Sequence, residues 1–502
     1  MSISADDQTW VQGASGKGQP WYRKITVEPT LFLYMMSHML TSVVEQVFYV
    51  YKACTVNHGY GHNVCANIEH YQEIKKEVQV TTSTFLMWNH IAMNVVPIAL
   101  AFFLGPWSDK RGRKLPLLLG LVGKLIHSIM IMINTKMDWP LEYVIYTATI
   151  PSVFTGAGVA IFGSCFAYIT DVTTASERTM RIAILEASFL STMPVGVALG
   201  NVLFNLSNKS FFLMYVINAS LLLVSMLYSI TRLQSRTTER QVSIRELRWY
   251  QIPGDIFDKE HVVHSLKTLF KKRPMDGRFY LYILMAATAF YTFQRDERPM
   301  IYLYTQLKFN WNTDKYSYFR TYQSTMYVMM LIIGVPFFLK LLKMRDTFII
   351  MIGVAAHAIA RFFYIFAEVD WLLYVGATVS SLGPIVAAVL RSMISKIVTA
   401  TERGTIFSLL SIFDDAVVLI SGVLYTQVYN AFIDSYPAAF FWLTMATQGI
   451  VFLLIMGVHI FLRGKSLEED TTDTTMGDLN GTVQKKPAGN EVAGYDNEGL
   501  QL

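Results

Sequence analysis

The chain has 502 residues, 53% of them apolar and only 16% charged, with a formal net charge of +5 and a mean hydropathy of +0.35. A soluble protein of this size would carry about a quarter charged residues, so the composition points into a lipid bilayer. The lack of a basic and aromatic stripe excludes a nucleic-acid partner. Nothing in the chain has the form of a nucleophile elbow, a metal-ligand spacing or a nucleotide loop, so neither an enzyme nor a cofactor is expected.

The first 25 residues are polar, with no apolar signal-peptide core, and are expected to stay in the cytosol. Runs of about 20 apolar residues then follow, each long enough to cross a bilayer. Twelve are predicted, near 29–51, 82–104, 115–134, 140–169, 182–205, 210–231, 279–304, 319–342, 346–367, 371–398, 405–430 and 437–462. The expected fold class is therefore an all-α membrane protein of twelve transmembrane helices in two six-helix bundles. Its expected divisions are a cytosolic segment 1–28, a bundle 29–231, a cytosolic linker 232–278, a second bundle 279–462 and a disordered polar tail 463–502. Part of the linker, Val242 to Phe270, mixes charged and apolar residues. It reads either as an amphipathic helix on the inner leaflet or as a solvated linker.

Lys and Arg concentrate in loops after even-numbered spans and in the linker, including Lys271-Lys272-Arg273. The positive-inside rule then puts both termini in the cytosol. On the outward side, Cys54 and Cys65 share the first loop and could form a disulfide. Asn205 and Asn208 begin glycosylation sequons beside the membrane. Asn480 begins another, on the cytosolic side, where it would stay bare.

The turn between the second and third spans reads Gly105-Pro106-Trp107-Ser108-Asp109-Lys110-Arg111-Gly112-Arg113-Lys114. Gly105 would let helices pack closely and Gly112 would permit a tight turn. Asp109 could face a helix N-terminus, and Arg113 and Lys114 would hold the loop in the cytosol. This G-x-x-x-D-x-x-G-R-[RK] pattern resembles the signature loop of the major facilitator superfamily. Thr174-Ala175-Ser176-Glu177-Arg178 and Thr399-Ala400-Thr401-Glu402-Arg403 echo each other before the fifth and eleventh spans, as duplicated halves would.

Function has to be sought among ionisable groups inside the spans, each of which costs about 2.5–3.5 kcal/mol on insertion scales. They are Glu45, Lys124, His127, Glu186, Arg295-Asp296-Glu297-Arg298, His357, Arg361, Arg391 and Asp414-Asp415. Asp171-Val172-Thr173-Thr174 followed by Arg178 to Ser188, and Leu390-Arg391-Ser392-Met393 followed by Thr401-Glu402-Arg403-Gly404, resemble the proton-coupled folate transporter family, solute carrier family 46. The resemblance implies a proton-coupled importer in which Glu186 couples protons and Arg391 serves substrate and coupling. The loop residues Asp109 and Arg113 would gate.

A carboxylate several residues inside a span is taken out of water, which suits Glu186 to exchange protons between mildly acidic and neutral pH. Arg391 can grip an anion in a bidentate fork. The competing reading pairs Glu186 with Arg113 or Arg181 in a structural cluster. Arg295 and Asp414 complete the expected substrate site. The stretch Arg295 to Arg298 is read either as a binding patch or gate, or as an internally neutralised ion cluster. Lys124 with His127, and His357 with Arg361, read as structural pairs.

Thr155-Gly156-Ala157-Gly158 stands where the family has an acidic residue, and the seventh span lacks the folate carrier's histidine. The expected cargo is thus a bulky organic anion, such as a folate-like compound, a cyclic dinucleotide or a muropeptide, moved with protons. The alternatives are a sodium-linked or uncoupled carrier, or a nutrient-sensing receptor on a transporter scaffold. No acidic dileucine signal stands out in the tail, which favours the plasma membrane over the lysosome.

Overall fold

The computed structural model describes residues 25–461 apart from 174, 238–240, 243–248, 258–262, 264–269, 271–276 and 399–402. The echo segments before the fifth and eleventh spans, the basic run 271–273, the third sequon and the polar tail lie wholly or partly outside these residues. Among the described residues there is no strand, and all twelve predicted spans are helical over most of their length. The first six are Glu28–Lys52, Gln72–Arg111, Lys114–Asn134, Ile145–Val172, Ala175–Leu206 and Phe211–Arg232. The seventh is two helices, Gly277–Thr292 and Glu297–Phe309, joined by a 3-10 turn over Phe293–Asp296. The rest are Thr313–Pro336, Asp346–Ile365, Asp370–Ile397, Arg403–Phe432 and Phe440–Phe461.

Among the described residues, nine helices are long and apolar enough to cross a membrane. The first, seventh and eighth spans fall short, the seventh because it is broken. Polar side chains dilute the other two, among them Glu45 in the first and Arg320, Gln323 and Ser324 in the eighth. A membrane helix tolerates such residues where it lines protein or water rather than lipid.

The packing repeats with a period of six spans. The third packs on the sixth as the ninth does on the twelfth, and the second meets the eleventh as the fifth meets the eighth. The first and fifth approach so closely that a Cβ on Gly200 would come within 2.1 Å of the Leu40 carbonyl oxygen. Small residues allow this kind of backbone contact where no hydrophobic force drives helices together.

Contacts between the two groups of helices cluster at one end. The first turns of the second span zip onto the seventh and eleventh. Lys75 Nζ, fully buried, donates to the Gln306 carbonyl at 3.2 Å and to Asn310 Oδ1 at 2.7 Å. Gln79 Nε2 donates to the Leu303 carbonyl and Gln306 Oε1, both at 3.0 Å, and Gln79 Oε1 accepts from the Tyr429 hydroxyl at 2.9 Å. Ser83 donates to Asn430, and Lys76 pairs with Asp434 at 2.9 Å. Near that end the structure joins Cys54 and Cys65 by a disulfide, with Cα atoms 5.7 Å apart. Further bonds between residues 25–232 and residues 277–461 lie between this end and the level of His90, among them Gln72 with Asn310, Asn205 with Asp314 and His90 with Asp296.

Candidate functional site

The 105–114 turn sits at the opposite end. Gly112 adopts φ +103°, and a Cβ there would fall 2.1 Å from the Ser235 carbonyl oxygen, so the turn needs glycine twice over. Gly105 differs from expectation: a Cβ would meet nothing within 4 Å, so it is not a packing glycine. Asp109 takes an ion pair with Arg113 one helical turn on. Arg113 also reaches Asp171 at 3.0 Å and Ser108 at 2.6 Å. Lys114 caps the sixth span, donating to the carbonyls of Ile230 and Leu233 at 2.7 Å.

The linker is more than a solvated connection at this point. Asp255, on the short helix Ile252–Ile256, receives hydrogen bonds from Trp107 at 2.8 Å, Arg111 at 2.8 and 2.9 Å and Lys110 at 3.1 Å. The Arg111 guanidinium, followed by Lys110 and Trp107, holds this carboxyl well below the usual carboxylate range. The remainder of the expected amphipathic stretch lies largely outside the described residues.

Several of the predicted residues lie close to one another. Arg391 NH2 lies 3.7 Å from Asp414 Oδ2, and Thr292 donates to Asp414 Oδ1 at 3.1 Å. Arg295 NH1 lies 3.4 Å from Asp415. Arg391 and Arg295 are exposed, whereas Asp414 is buried. Glu186 is also exposed, and the charge acting on it is that of Arg391. The competing structural cluster does not form around Glu186. Arg113 is taken by Asp109 and Asp171, and Arg181 pairs with Glu28 at 2.6 Å.

The stretch Arg295 to Arg298 is not internally neutralised. Its break into a 3-10 turn fans consecutive side chains outwards. Arg295 goes to Asp415, and Asp296 to His90 Nδ1 at 3.2 Å and to Ser421. Glu297 goes to Arg361 and Thr444. Sequence reasoning passed over His90, although an imidazole inside an apolar span was a signal in its own right. Nothing in the sequence marked Thr292 or Ser421. Asn205 and Asn208 are exposed; the Asn205 amide donates to Asp314 at 2.6 Å, and Asn208 adopts φ +54°. Among the described residues no cluster of side chains could hold a metal ion.

Comparison with known proteins bears on this arrangement. A family model of the major facilitator superfamily matches residues 30–355. A lysosomal proton-coupled steroid conjugate and bile acid symporter of Gallus gallus, SLC46A3, is 27% identical, over 87% of this chain and 94% of its own. A probable peptidoglycan muropeptide transporter of Drosophila melanogaster, SLC46, is 23% identical over 86% and 84%. The proton-coupled folate transporter of Bos taurus is 22% identical over 86% and 91%. The crystal structure of a D-xylose-proton symporter superposes with a TM-score of 0.62 at 13% identity, covering 87% of this chain and 97% of that one. The chain is a transporter rather than an enzyme; it belongs to the major facilitator superfamily, with relatives in solute carrier family 46.

Proposed function

We propose that the protein is a proton-coupled symporter that moves a bulky organic anion by alternating access between two bundles, residues 29–231 and 279–462. The observation that carries this reading is the convergence of Glu186 and Arg391, from opposite bundles, on a chamber walled by Asp414, Asp415 and Arg295. Arg391 and Arg295 are held loosely and exposed, so each can exchange its carboxylate partner for that of a cargo. Glu186, which feels the Arg391 charge but makes no ion pair within 4.0 Å among the described residues, is the group best placed to load and release a proton.

Two relatives support the coupling, since their names specify proton-coupled transport, of steroid conjugates and bile acids in one and of folate in the other, while a third is named for a muropeptide cargo alone. With both termini in the cytosol, the zipped end carrying the disulfide faces outward and the chamber opens to the cytosol. The loop 105–114 then gates the inner side by trading its Arg113–Asp171 contact, while the sequons at Asn205 and Asn208 face outward. Engagement of the Asn205 amide by Asp314 favours Asn208 as the glycan acceptor. The plasma membrane remains the favoured location.

Uptake by cells expressing the chain, measured at acid and neutral pH with folates, cyclic dinucleotides, muropeptides and steroid conjugates, tests the reading. Acid-stimulated accumulation of at least one anionic class is expected. Binding without accumulation would favour a receptor on a transporter scaffold.

A further inference from the structure

Most charges within the chamber are matched. Arg391 has Asp414, Arg295 has Asp415, Arg361 has Glu297, and His90 has Asp296. Two cations among the described residues have no polar partner at all. Among the described residues, Lys124 in the third span and Arg298 in the seventh have neither a carboxylate within 4.0 Å nor a hydrogen-bond partner. Arg298 is exposed, and Lys124 is only partly buried, so both remain accessible in the interior.

The two come from different bundles, yet each lies near enough to the first span for its charge to reach His38. His38, exposed on the first span, lies in the electrostatic field of both. Arg320, on the eighth span, adds a third positive charge beside Arg298, and its NH1 donates only to the neutral amide of Gln323, at 2.5 Å. Glu45 attracts Lys124 without touching it and instead accepts a hydrogen bond from Tyr49.

An unmatched cation inside a membrane span is costly to keep, by about 2.5–3.5 kcal/mol on insertion scales. Like charges such as Arg298 and Arg320 also repel. Such an arrangement becomes favourable once an anion enters between the charges, where low dielectric strengthens the attraction.

We propose that the principal anionic group of the cargo, a carboxylate, sulfate or phosphate, docks between Lys124 and Arg298, with Arg320 as a third donor. This rests on the carrier reading above and deepens it. Bridging the two bundles, the anion would draw them together, which is the closure an alternating-access cycle needs after loading. Arg391 and Arg295, already partnered, would meet the cargo at the chamber's open end.

The test uses the full chain, purified and reconstituted in vesicles, with estrone sulfate and its uncharged parent estrone as probes. Estrone sulfate should stabilise the wild type against heat and estrone should not, and the Lys209→Gln control should behave as the wild type. In Lys124→Gln and in Arg298→Gln the apparent Kd for estrone sulfate should rise about tenfold or more, and Arg298→Lys, which keeps the charge, should recover part of it. Equal response to both probes, or an unchanged sulfate preference in both variants, overturns the cradle. Vesicle accumulation with that unchanged preference leaves the carrier standing without the cradle. Charge-selective binding without accumulation leaves the cradle standing without the carrier.

Discussion

Arg361 Nε lies 3.1 Å from each carboxylate oxygen of Glu297, joining the ninth span to the broken seventh. With side chains only 4% and 1% exposed, this is a sealed ion pair. Glu297→Gln would leave Arg361 enclosed without a counter-charge. A loss of about 3–5 kcal/mol is expected, read as a lower melting temperature of the purified protein. Adding Arg361→Met should recover part of the loss, because replacing both members of a buried pair is far milder than orphaning one.

Arg391→Ala should raise the apparent Michaelis constant for anionic cargo about tenfold to a hundredfold, the worth of a charged hydrogen bond. Surface expression should hold, because Arg391 is exposed and its contact with Asp414 is long. Wild-type affinity in the variant would remove Arg391 from the cargo path.

The Asp255 anchor should be indifferent to physiological acidity. Its carboxyl titrates well below the ordinary range in the folded protein, through Arg111, Lys110 and Trp107. A depressed folded pKa contributes stability that is complete above the unfolded value of about 3.9 and is lost only as pH falls through the folded value. Limited proteolysis of the linker in the purified protein should therefore run equally at pH 7 and pH 5.5. Asp255→Ala should expose it to faster cleavage at both. Release of the wild-type linker at pH 5.5 would show that the anchor itself senses pH.

The zipper between the second and eleventh spans is a conformational reporter. Ser83 hydrogen-bonds Asn430, so a Ser83→Cys, Asn430→Cys pair should cross-link readily on oxidation. The cross-link should hold the outer end shut, abolish uptake and be reversed by reductant. Cross-linked protein with full uptake would mean that this end does not open during the cycle.

Much of this molecule was legible beforehand because lipid imposes simple rules. Length and apolarity located twelve stretches that are helical, nine of them apolar enough to cross a membrane among the described residues, and Gly112 in the tight turn followed from one glycine in register. The ion pairing was another matter. Asp109 pairs with Arg113 and Gly105 meets open space, since neither outcome is encoded in residue type. The fanning of Arg295 to Arg298 depends on a 3-10 turn that apolar periodicity does not reveal. Contacts such as His90 with Asp296, or Asp255 with Arg111, join residues far apart in sequence, and a single chain carries no local trace of them.

The central claim is that Glu186 links protons to cargo. The most direct measurement is uptake of an anionic cargo into vesicles reconstituted with wild type or Glu186→Gln, across pH 5 to 7.5, with and without a proton ionophore. Wild type should concentrate cargo under an inward proton gradient and lose that ability with the ionophore, while Glu186→Gln should give a flat, gradient-independent profile. Equal acid stimulation in the two proteins, or accumulation indifferent to the ionophore, would contradict the account.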